Sequence, residues 1–171
     1  MTGRSKALAP TNDSIKPHRR AAIAAFHHFV LLPEIAHTID EMAQELLRQI
    51  SPEKPLAFAE LRFGELNVRP PEGVGTIRIA VFYPGCETGV ERHPNSTQFL
   101  FSVRGIGETR VLRGEEWEID RYGTITDAAR LEERWHVVEM GVWHHSVAMG
   151  QEPWILAALH SADRVEDEYQ K

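Results

Sequence analysis

The chain has 171 residues, 42% hydrophobic and 26% charged, with 19 basic and 25 acidic side chains and a formal charge of −6. This is the composition of one soluble globular domain able to bury a core, with no low-complexity tract. The acidic balance argues against nucleic acid, because phosphate recognition needs clustered cations.

Residues 1–20 hold five basic groups (Arg4, Lys6, Lys16, Arg19, Arg20) and one acid, Asp13, with no hydrophobic period. They are expected to form a disordered arm. The pair Arg19-Arg20 before AAIAAF imitates a signal start, but His27-His28 break the apolar run and no small-residue cleavage site follows. No stretch approaches the roughly 18 apolar residues of a membrane-spanning helix. Cys86 is the single cysteine, which rules out an intramolecular disulfide and fits a reducing compartment. The expectation is a cytoplasmic protein without a membrane partner. Glu87 beside Cys86 opposes thiolate formation, so the cysteine reads as inert.

Residues 21–54 are read as a helical extension. Ile35, Ile39, Met42, Ala43, Leu46, Leu47 and Ile50 recur at spacings of three and four after Pro33, which predicts a helix over 34–50. Its apolar face should lie on the rest of the domain or on a second subunit, and a homodimer is expected.

From residue 55 the pattern changes. Short β-rich runs at 57–63, 75–83, 97–103, 107–112, 115–121, 136–140, 142–148 and 153–160 alternate with Gly and Pro turns. About eight such strands over 55–171 predict a sandwich or barrel. Phe99, Phe101 and Val103 alternate with Gln98, Leu100 and Ser102, as in a strand covered on both faces. Residues 122–135 are polar and read as a surface excursion. The terminal DRVEDEYQK reads as a solvated tail that could close the barrel mouth of a neighbouring subunit.

Two segments carry chemistry: GVERHPNSTQFLFSVRG over 89–105 and EMGVWHHSVAMGQEP over 139–153. Alternate strand residues share a face, so Glu91 and His93 converge if that face is inward. Gln98 can return to the same cavity after the turn at Pro94-Asn95, and His144 arrives from a distant strand. His145 then points to the opposite face, or reaches the cavity through a bulge. His160 could face the pocket but reads as a structural histidine. Arg92 is expected to pair with an acid on the outer face. Arg104, before Gly105, could bind a substrate carboxylate through a bidentate contact.

At these residues the sequence resembles the cupin superfamily of jelly-roll barrels. The first cupin motif has the form HxHxxxxE followed by a glycine. Here Glu91 stands for the first histidine, His93 matches the second, Gln98 replaces the glutamate and Gly105 matches the glycine. The second motif contains PxGxxH, matched by Gly141 and His144, with Glu139 in place of the proline. The resemblance covers roughly 75–160 and implies an all-β cupin barrel (a double-stranded β-helix) preceded by a helix. It also implies a metal set of Glu91, His93, Gln98 and His144. One carboxylate, two imidazoles and an amide suit a divalent ion such as Ni, Zn, Fe or Mn.

The strings ERHPNSTQ and VWHHS are further similar to segments of ureidoglycolate lyases, cupin-fold enzymes that split ureidoglycolate into glyoxylate and urea. This likeness accounts for Glu91 and Gln98 and includes the doublet His144-His145. It implies carbon–nitrogen cleavage of a small anionic substrate, with Glu91 and His145 as catalytic groups and Gln98 and Arg104 on the substrate. Glu91 could be ligand or base. A cupin dioxygenase or isomerase, or a non-catalytic ligand-binding cupin, are the other readings of the same set.

Overall fold

A computed structural model describes residues 17–61, 63–123 and 134–170. The chain opens with two helices, α1 (Pro17–Val30) and α2 (Pro33–Leu47). Proline at a helix start costs no hydrogen bond, because the first N–H groups have no partner in any case. Residues 17–20, expected in the arm, belong to α1, and the rest of the arm lies outside the described residues. Ile23, Phe26 and Val30 line the buried face of α1. In α2 that face is Ile35, Ile39, Ala43 and Leu46, as the periodicity predicts. It lies on the chain's own strands β1 (Leu56–Leu61) and β2 (Thr76–Phe82), so the helix does not need a second subunit to cover it. Among the described residues no single helix is long and apolar enough to cross a membrane.

The remaining strands are β3 (Glu91–Arg92), β4 (Gln98–Arg104), β5 (Ile106–Arg113), β6 (Glu116–Gly123), β7 (Trp135–Val138), β8 (His144–Ala148), β9 (Trp154–His160) and β10 (Glu168–Tyr169). They form two antiparallel five-stranded sheets, ordered β1-β2-β9-β4-β7 and β10-β3-β8-β5-β6. The sequence expectation of an all-β double-sheet barrel preceded by a helix holds. Most of the expected excursion over 122–135 falls outside the described residues.

The first sheet is covered on both faces, and strand alternation sorts its side chains. In β9, Ile155, Ala157 and Leu159 face the helices, while Trp154, Leu156 and Ala158 face the second sheet. In β2, Ile77, Ile79 and Val81 join the helical layer, leaving Arg78, Ala80 and Phe82 for the barrel interior. In β4, Phe99 and Phe101 turn outward to the helices, so Gln98, Leu100 and Ser102 turn inward. The period of two therefore decides which residues can reach the cavity. Trp154 anchors the closed end: Gly107 leaves it room, since a Cβ there would sit 2.4 Å from the indole ring.

Candidate functional site

The barrel encloses a cavity of about 130 Å³. Its floor is apolar, formed by Ala80, Phe82, Leu100, Leu156 and Ala158. The polar side holds Glu91, His93, Gln98 and His144, with Arg78 and Tyr169 also on the wall. This is well below the roughly 300–1,000 Å³ of pockets for drug-sized ligands. It suits a cation together with an acid of a few heavy atoms.

Register explains the convergence. Glu91 on β3 pairs directly with His144 on β8, which puts Oε1 of Glu91 3.9 Å from Nε2 of His144. His93 follows one strand period after Glu91, at the start of a turn, and its ring centroid lies 5.1 Å from that of His144. One ligand atom from each of Glu91, His93 and His144 lies within 4.8 Å of the other two, so the triad could hold a metal ion. Gln98 lines the same cavity from the other sheet. Sequence reasoning brought these four together, and so does the fold.

The electrostatics suit a cation. His144 is 1% exposed and His93 3%. Burial lowers His144 to about 4, aided by neighbouring imidazoles and opposed by the Val142 carbonyl. Burial also lowers His93, against the pull of Asp167. Both rings are therefore neutral near pH 7, the form that binds metals. Nδ1–H of His144 donates to Val142 O at 3.0 Å, which leaves the Nε2 lone pair free. Burial, and then the Asp167 carboxylate, push Glu91 up to about 7, against Arg78 and a Tyr169 hydrogen bond. Nε2 of His93, Nε2 of His144 and Oε1 of Gln98 are buried without hydrogen-bond partners. Each orphaned buried group costs about 1–3 kcal/mol. A divalent cation would satisfy such donors at once, so the residues fit a metal.

Two expected site residues lie elsewhere. His145 alternates away from His144 and packs edge-on against Trp117, 5.1 Å between ring centroids, with Glu87 3.9 Å from Nδ1. Arg104 is exposed at the far end of β4, six residues from Gln98, a separation of roughly 20 Å along an extended strand. The structure brings neither to the cavity. Arg92 pairs with Glu168 at 2.6 Å on the outer face, as expected, and stacks on Trp143. Cys86 is buried, and burial followed by the Glu87 charge pushes its thiol up, which keeps it inert.

Three neighbours of the site, Arg78, Asp167 and Tyr169, were not foreseen in these positions, and His160, for which the pocket was the alternative to a structural role, stands beside them. Arg78 is the charged break in the apolar strand TIRIAVF, and that interruption was the available signal. His160, fully buried, touches the His93 ring edge-on at 4.9 Å; its Nδ1 lies 3.4 Å from Ser96 Oγ and its Nε2 3.5 Å from Gln98 Nε2. Burial, then the neighbouring His93, holds it well below the usual histidine range. Asp167 and Tyr169 come from the charged tail, which pairs with β3 of its own barrel.

No protein-family model matches the chain, and no curated protein sequence does. Solved structures do. Oxalate oxidase in complex with the substrate analogue glycolate aligns with a TM-score of 0.55 and 16% identity, over 70% of this chain and 56% of that one. Oxalate decarboxylase from Bacillus subtilis aligns with a TM-score of 0.55 and 16% identity, over 72% of this chain and 30% of that one, both in a structure at pH 4.6 and in one concerned with its Mn(II) centres. The chain thus spans about half of the first protein and under a third of the second. At this identity the likeness concerns the fold alone, and it agrees with the two antiparallel sheets: the chain has the all-β cupin-type barrel fold, preceded by helices.

Proposed function

We propose that the chain is a metal-dependent cupin lyase that cleaves a carbon–nitrogen bond in a small ureido or hydroxy acid, releasing urea and glyoxylate from a ureidoglycolate-like substrate. The observation that carries this reading is the convergence of half-buried Glu91 and buried His93 and His144 on one small cavity. The ERHPNSTQ and VWHHS strings support the substrate class. A divalent cation held by His93, His144 and Glu91 would supply Lewis acidity that eases ionisation of a substrate hydroxyl.

The other tasks fall to side chains. Arg78 faces the cavity and offers the positive partner that a substrate carboxylate needs. A single oxygen of Glu91 is enough for the cation, and its second oxygen, on the same cavity wall, is the base. It takes the hydroxyl proton as the carbonyl forms and the carbon–nitrogen bond breaks. The same proton returns to the leaving nitrogen, so urea and glyoxylate account for every atom. Oε1 of Gln98 is an unpartnered acceptor able to receive a ureido N–H.

A second reading is oxygen-dependent chemistry on a small acid. Two imidazoles and one carboxylate can also hold a redox-active metal with open positions. The structural neighbours favour keeping it, being an oxalate oxidase with glycolate and an oxalate decarboxylase with Mn(II) centres. The test is a screen of small hydroxy, ureido and dicarboxylic acids with untagged, metal-analysed protein. Release of urea and glyoxylate without oxygen uptake supports the lyase. Substrate-dependent oxygen uptake, or no urea from any ureido acid, refutes it.

A further inference from the structure

The chain's last residues return to the cavity along a defined path. The return starts beside Gly75, whose N–H donates to the His160 carbonyl at 2.9 Å. A Cβ at Gly75 would lie 2.4 Å from the backbone of Ala162 and Asp163, so only glycine permits this approach. Thr76 Oγ1 donates to the carbonyls of Ala162 and Asp163 at 2.9 and 2.6 Å. Asn95, in the turn after His93, then clamps the segment. Its Nδ2 donates to Arg164 O at 2.9 Å, and its Oδ1 accepts from Glu166 N at 3.0 Å. Beyond the clamp β10 pairs with β3, Glu168 opposite Arg92 and Tyr169 opposite Glu91.

Asp167 lies between clamp and strand on an exposed stretch of backbone, with its side chain 23% exposed. Its Oδ1 is 2.9 Å from Nδ1 of His93, without the alignment of a full hydrogen bond, and accepts from Nη1 of Arg78 at 2.8 Å. One carboxylate oxygen thus touches Arg78 in the first sheet and His93 just beyond β3 of the second. The groups it touches are a candidate cation ligand and the guanidinium that faces the cavity.

We propose that Asp167 is a positioning residue, which turns Nδ1 of His93 toward the carboxy-terminal segment and Nε2 into the cavity while holding Arg78 on the wall. This rests on the metal-site reading above. A proton on Nδ1 shared with a carboxylate fixes the ring and leaves Nε2 as the basic nitrogen, and such outer partners change metal affinity by about 10–100-fold. His144 is oriented through the same ring nitrogen, by a full hydrogen bond to the Val142 carbonyl. Two imidazoles are thereby presented through the same nitrogen, one by a backbone oxygen and one by the chain's terminal segment.

The test is calorimetric titration of metal-stripped protein with Mn(II), together with the visible spectrum of the Co(II)-loaded form. Asp167→Asn keeps shape and strand pairing but removes the charge. We expect Mn(II) affinity to fall about 10–100-fold, with a changed Co(II) spectrum. Glu60→Gln removes the other carboxylate on Arg78, 3.0 Å from its Nε, without touching His93, and should leave both readouts unchanged. If Asp167→Asn does not fold, a chain ending at Glu166 keeps the Asn95 clamp and should show the same loss. Wild-type affinity in a folded Asp167 variant, or equal losses in Asp167→Asn and Glu60→Gln, would overturn the inference and leave the metal site standing. A wild-type chain that binds neither ion overturns both.

Discussion

Glu91→Gln should stabilise the metal-free protein and at the same time disable the site. Burial raises the Glu91 carboxyl from 4.5 to about 7. A tenfold change in proton affinity is worth about 1.4 kcal/mol, so the ionised carboxylate costs the fold on the order of 3 kcal/mol at high pH. The sign follows from the direction. An acid whose folded pKa lies above its unfolded value costs nothing below about pH 4.5, costs progressively more as pH rises, and reaches its full cost above about pH 7. An amide of the same shape removes that penalty. In chelator-treated protein the variant should match wild type near pH 4.5 and exceed it at pH 8 by roughly 5–10 °C in Tm. Mn(II) should narrow or reverse the difference, because the variant has lost the triad's only carboxylate. A stability difference that is the same at pH 4.5 and pH 8 would refute the reasoning.

Gln98→Glu adds a carboxylate beside the cluster; it should tighten Mn(II) binding and raise KM for an anionic substrate, both read by titration and kinetics. Arg78→Ala should raise KM at least tenfold, the scale of one lost charge-assisted contact, whereas Arg104→Ala should leave KM within about twofold because Arg104 lies outside the cavity. Gly107→Ala drives a methyl into the Trp154 ring and should cost about 1–3 kcal/mol in denaturant unfolding, with the Mn(II) affinity of the folded fraction retained.

Much of the barrel was legible because its strands obey two different patterns. The run WILAALH reads as continuous apolar sequence, and β9 is buried along its whole length between helices and the second sheet. The alternation in 98–103 was visible for the same reason. Glu91, His93, Gln98 and His144 could be grouped because two motifs with fixed spacing mark them. His145 and Arg104 were harder, since a doublet and a turn position do not say which way a side chain points. Alternation from His144 already favoured the outer face for His145, and the fold obeys it. The tail was illegible: β10 has two residues, too few for any period, and its register is set by Asn95 and Arg92 far away in sequence. Helix α1 was legible only as part of the helical extension over 21–54, because its start at Pro17 lies in the basic arm and its apolar run imitates a signal start.

The central claim is that two buried imidazoles and one carboxylate form a cation site, and a calorimetric titration of metal-stripped protein with Mn(II) tests it most directly. The account predicts one saturable site per chain, abolished in His93→Ala and in His144→Ala, each of which leaves too few donors. Absence of saturable binding to the wild-type chain, or undiminished binding in either folded variant, would contradict it.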